Sequence, residues 1–151
     1  MSDYPALHIK RTFNAPIQAV WDAWTQPEMF KQWYMPLPFT VPDCEFNMQV
    51  GGQLKIDTKA PDGSIMTIHG EFKVIDRPTR LTMTNYPLDE NGDKLFEILH
   101  SLELSEVDNQ TILELTSEVV YAQPDSKQFI DGMEEGLNQA LDQLGSVVTA
   151  S

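Results

Sequence analysis

The chain opens on a period-two alternation. Leu7, Ile9, Arg11 and Phe13 share one face of an extended segment, with His8, Lys10 and Thr12 on the other, which predicts a half-buried strand. The period then becomes helical. Ile17, Val20, Trp21 and Trp24 recur at helical spacing, Asn14 is placed to cap the helix, and Pro16 suits its first turn. Pro27 interrupts this helix, and residues 28–34 read as a second short one presenting Phe30 and Trp33. Pro36, Pro38 and Pro42 exclude regular helix, so residues 35–42 are expected to form a loop.

A meander of alternating segments follows. The expected inward positions are Cys44, Phe46 and Met48, then Leu54 and Ile56, then Met66, Ile68, Gly70, Phe72 and Val74. Leu81 and Met83 continue the series, followed by Phe96, Ile98, His100, Leu102 and Leu104, and by Leu113, Leu115, Ser117, Val119 and Tyr121. Gly51-Gly52, Pro61-Asp62-Gly63, Arg77-Pro78, the polar run 89–93 and Val107-Asp108-Asn109 punctuate it as turns. After Pro124, the stripe Phe129, Met133, Leu137, Leu141, Leu144 and Val148 spells one long amphipathic helix. The sum is an α+β chain: a curved antiparallel sheet of about seven strands around a long C-terminal helix, with two short helices after the first strand. No linker, repeat or low-complexity run divides it, so residues 1–151 read as a single domain.

That architecture implies a hollow. One helix about 10–12 Å wide does not fill the concave face of a curved sheet evenly. Large side chains, or a cavity, must occupy the remainder. The candidate lining is Phe46, Met48, Met66, Ile68, Met83, Ile98, His100, Tyr121, Phe129 and Met133, rich in the flexible thioethers that adapt to irregular guests and equally to awkward core gaps. Trp33, Tyr34, Met35 and Phe39 cluster in a proline-rich segment, where they either gate the cavity or plug the sheet end.

Composition narrows the possible functions. The formal charge of −13 comes from 23 acidic and 10 basic residues, and after Leu95 the single base is Lys127. Such a surface repels nucleic acid and anionic bilayers. Cys44 is the only cysteine, which excludes an internal disulfide and suits a reducing compartment. No stretch approaches a membrane span and the start of the chain lacks the pattern of a signal peptide, so a cytoplasmic location is expected.

His8, His69 and His100 show no metal-ligand spacing, so neither a metal nor another cofactor is expected. His100 is the one weak catalytic candidate, a polar group between Ile98 and Leu102 on an inward phase; the alternative is a core histidine satisfied by a hydroxyl such as that of Ser117, Tyr121 or Tyr86. Arg11, in phase with Phe13, is expected to pair with a carboxylate at the sheet end.

Several short motifs in fixed order carry a resemblance: R-x-F-x-A-P at 11–16, Val20-Trp21, T-x-P-E at 25–28, Gln32-Trp33, Phe39-Thr40, Gly51-Gly52, Pro61-Asp62-Gly63 and G-M-x-x-G at 132–136. Together they resemble the SRPBCC (START/Bet v 1-like) superfamily, and within it the branch related to the C-terminal domain of the Hsp90 ATPase activator Aha1. The resemblance implies a helix-grip fold with a cavity between the sheet and the last helix. The chain departs from the branch at Tyr34-Met35, where tryptophan and glycine are usual, and at Asn47 and Gln49, where a charge pair is usual.

The expected function is therefore non-catalytic binding of a small hydrophobic or amphipathic molecule. Two alternatives stand beside it: an Hsp90 co-chaperone-like protein-interaction domain, and a cyclase- or hydrolase-like enzyme using His100.

Overall fold

The computed structural model describes residues 6–35 and 38–149. Strand β1 (Leu7–Phe13) leads into helices α1 (Ile17–Thr25) and α2 (Pro27–Phe30). Six strands follow: β2 (Thr40–Phe46), β3 (Gln53–Lys59), β4 (Ile65–Asp76), β5 (Arg80–Pro87), β6 (Phe96–Val107) and β7 (Gln110–Ala122). A 3-10 turn at Pro124–Ser126, a short helix α3 (Lys127–Asp131) and a longer helix α4 (Met133–Thr149) close the chain. The strands form one antiparallel sheet in the order β1-β7-β6-β5-β4-β3-β2, the curved seven-stranded sheet of a helix-grip fold. Each consecutive pair from β2 to β7 is joined by a local connection, which lets β1 close the far side beside β7.

Turn chemistry fixes the register. Asp108 and Asn109 both take positive φ in the two-residue link between β6 and β7, the conformation a tight hairpin requires. At Gly70 a Cβ would collide with the Thr84 carbonyl oxygen, so only glycine permits β4 and β5 to approach this closely.

The aromatic residues of α1, of α2 and of the segment just after α2 fill one part of the concave face. Trp24 and Trp33 meet edge-on at 4.7 Å between ring centroids, Phe30 stacks on Tyr34 at 4.3 Å, and Phe30 continues through Phe46 to Phe72. Leu141 and Leu144 of α4 join this main cluster. Ile98, Val119 and Ile130 form a separate smaller cluster, packed by Phe96 and Met133. Deep burial of this apolar surface is the chief stabilising contribution.

Five sequence expectations need correction. Asn14 does not cap α1; the carboxylate of Glu106, at the end of β6, accepts the Ile17 N–H at 2.8 Å instead. The expected loop 35–42 is shorter, because β2 starts at Thr40 and accommodates Pro42 on a sheet edge within an irregular stretch of its ladder; the expectation for Pro36 lies outside the described residues. A bulge at Lys73 shifts the phase of β4, so Ile75 rather than Val74 pairs with inward Leu81. A second bulge, opposite the Glu97–Ile98 step, pairs Tyr121 with Glu97 and turns Tyr121 outward, 48% exposed. The long C-terminal helix is broken at Gly132, and Phe129 on the short piece before it is 48% exposed.

Candidate functional site

A cavity of about 220 Å³ lies where the two hydrophobic clusters fail to meet. One wall is the start of α4, where Met133 and Leu137 flank Gly136, with Gly132 just before. The opposite wall is the inner face of the central strands: Ile68 from β4, Asn85 and Pro87 from β5, and Phe96, Ile98 and His100 from β6. Tyr34 and Met35, just after α2, complete it. The helix break explains the gap. Gly132 and Gly136 put no side chain beyond Cα against the sheet, so this end of the helix stands over a hollow that Leu141 and Leu144 fill farther along.

Three polar side chains interrupt the apolar lining. His100 is buried, and its Nδ1 lies 2.7 Å from Ser117 Oγ on the neighbouring strand β7. Burial lowers its pKa to about 4, so the imidazole is neutral at pH 7. Asn85 donates from Nδ2 to the Tyr34 hydroxyl oxygen at 2.6 Å. Burial raises the Tyr34 pKa, against a smaller opposing effect of that hydrogen bond, so the phenol remains protonated. Asn85 Oδ1 is buried without a hydrogen-bond partner among the described residues.

Of the sequence candidates, the structure brings Tyr34, Met35, Ile68, Ile98, His100 and Met133 to this cavity. The others lie elsewhere. Phe46 and Met48 pack on the main cluster, and Met83 is buried within it. Met66 keeps its inward register opposite Thr58 but sits outside both clusters and off the cavity. Trp33 is buried off the cavity, with Nε1 donating to the Ala23 carbonyl at 2.9 Å, the placement expected of a plug. Phe39 is 40% exposed, and neither it nor Tyr121 nor Phe129 lines the cavity.

The main omission is Asn85. It continues the Leu81, Met83 alternation by one more inward position, and a polar residue at the end of that series was the available signal. Pro87, Phe96, Leu137 and the two glycines also escaped selection. Their role depends on which strand stretches face the start of α4, and no local pattern encodes that.

Arg11 meets its expectation. Its guanidinium donates to Asp142 Oδ1 at 2.8 Å and to both the backbone and side-chain oxygens of Asn138 at 3.0 and 3.1 Å, which ties β1 to α4. Among the described residues no cluster of His, Cys, Asp and Glu has the arrangement of a metal site, and no helix is long and apolar enough to cross a membrane.

Residues 14–149 match the family model described as activator of Hsp90 ATPase homolog 1-like protein. Solved structures share the fold across nearly the whole chain. A protein from Arthrobacter aurescens superposes with a TM-score of 0.83 at 24% identity, covering 97% of this chain and 87% of the other. One from Chromobacterium violaceum gives 0.82 at 19% identity, covering 98% and 100%. One from Staphylococcus epidermidis gives 0.75 at 27% identity, covering 98% and 92%. No curated protein matches the chain by sequence.

Proposed function

Given that the chain belongs to the activator of Hsp90 ATPase homolog 1-like family, we propose that it is a non-catalytic binding module for a small hydrophobic or amphipathic molecule held between α4 and the sheet. The cavity itself carries this reading. At about 220 Å³ it is roomier than the ~150 Å³ apolar void that takes up benzene, and most of its wall is hydrocarbon. A guest there removes apolar surface from water, and the few polar groups give it an orientation.

The surroundings of His100 favour a binding role over a catalytic one. A base useful near neutrality needs a pKa near the working pH, whereas burial keeps this one about 4 and its Nδ1 is engaged with Ser117. A cytoplasmic location, where Cys44 stays reduced, belongs to the same reading.

Native mass spectrometry of the purified protein, with a naphthalene-type fluorescent probe in solution, tests the proposal. Probe uptake that is lost in Met133→Trp, with the fold retained by circular dichroism, supports it. Equal uptake in both proteins rejects this cavity as the site.

The family description also favours a second reading, an Hsp90-directed interaction domain. Stimulation of Hsp90 ATP turnover by the purified chain supports that reading, and an unchanged rate at saturating protein rejects it.

A further inference from the structure

We propose that the cavity selects a neutral molecule of one or two fused rings bearing a hydrogen-bond donor, and that Asn85 is the residue that reads the donor. The inference rests on the ligand-binding reading above and adds to it the chemical class of the guest.

Neutrality follows from the lining. No described residue of the cavity wall carries a formal charge at neutral pH, and His100 is held in its neutral form. An ionised guest would lose hydration with no counter-charge to replace it. Glu134 and Glu135, exposed on the first turn of α4 beside Met133 and Gly136, add repulsion against carboxylates.

The donor preference follows from Asn85. It is 4% exposed and sits mid-sheet, paired with Gly70 of β4 on one side and Ile98 of β6 on the other. Its backbone is therefore held firmly. Its Nδ2 is committed to the Tyr34 oxygen, while Oδ1 has no partner among the described residues. That oxygen is covered toward the cavity as well as toward bulk solvent, so a small turn of the amide about its soft terminal torsion is what brings it against a donor on the guest. At His100 it is Nδ1 that is engaged, with Ser117 Oγ, and the Asn85→Leu variant below separates the contribution of Nε2 from that of Asn85. An unmet buried acceptor penalises an isosteric guest without a donor and rewards one that has it.

The test titrates the full chain at pH 7.5 by two-dimensional NMR and calorimetry with three bicyclic probes. Indole has a ring N–H donor, indene is its donor-free hydrocarbon analogue, and isoquinoline offers only an acceptor. Indole should bind roughly tenfold or more tightly than indene, with isoquinoline no better than indene. In Asn85→Leu the indole advantage should vanish while indene binds at least as well as before.

Equal affinities for indole and indene in the wild-type protein overturn the inference, as does a preference for isoquinoline. Persistence of the indole advantage in Asn85→Leu also overturns it. If Asn85→Leu does not fold, the wild-type series still decides the donor preference, and Asn85→Ser repeats the variant arm. Binding of none of the three probes rejects the ligand-binding reading itself, a result distinct from binding without preference.

Discussion

Gln143 Nε2 donates to the Met35 carbonyl oxygen at 2.7 Å and to the Trp33 carbonyl oxygen at 2.9 Å. One side chain of α4 thus holds the backbone of the segment that bounds the cavity. Met35 and Tyr34 border the cavity, and Gln143 sets where they stand relative to the helix opposite.

Gln143→Leu should therefore loosen that edge without emptying the core. Two part-buried hydrogen bonds are lost and two carbonyls are left to find other partners, so we expect about 1–3 kcal/mol of destabilisation in urea unfolding. Amide hydrogen exchange should rise around residues 33–35 and remain unchanged in β6 and β7. Uniform exchange across the chain would show that the clamp is not local.

His100 makes stability depend on pH. Its folded pKa of about 4 lies below the ordinary value of 6.5, because burial disfavours the imidazolium. Between those values the unfolded chain takes up a proton that the folded chain refuses. Stability is thus complete above pH 6.5 and falls as the pH is lowered toward 4, by up to roughly 3 kcal/mol from this group. NMR should find the His100 ring neutral at pH 5.5. His100→Phe should flatten the stability profile between pH 6.5 and 4 relative to wild type, and an unchanged profile would place the acid sensitivity elsewhere.

The Arg11 cluster should respond asymmetrically. Arg11→Ala removes donors to Asp142 and to both oxygens of Asn138, together with a partly buried stem, and should cost about 1–2 kcal/mol. Asp142→Asn leaves the Asn138 contacts in place, and Asp142 is largely exposed, so its cost should stay under about 1 kcal/mol. Thermal melts of the two variants check the order; a larger loss from Asp142→Asn would contradict it.

Trp33→Phe separates plug from gate. It deletes the bond to the Ala23 carbonyl and shrinks the edge contacts with Trp24 and Phe30, so stability should fall by about 1–3 kcal/mol. Trp33 does not line the cavity, so probe affinity should stay within about threefold of wild type. A large change in association rate with unchanged stability would restore the gate.

The sequence by itself determined the number and order of strands, the inward faces of β1, β3 and β6, and the two short helices, because each is written in local periodicity. It also placed His100 and Met133 facing one interior. Tertiary structure decided the rest. Bulges at Lys73 and opposite the Glu97–Ile98 step reverse the phase of the residues beyond them, which carries Val74 and Tyr121 outward and Ile75 inward. A single extra residue in a ladder leaves no mark on hydrophobic alternation, since pairing with a neighbouring strand defines it. The break at Gly132 lies within an unbroken apolar stripe for the same kind of reason: spacing reports a face, and only packing reports whether that face is filled. The site's most specific feature, an amide oxygen on Asn85 without a partner among the described residues, arises from the meeting of β5 with the segment after α2, 51 positions apart in the chain. Long-range apposition of that kind is set by how the sheet curves against its helix, which no stretch of residues encodes alone.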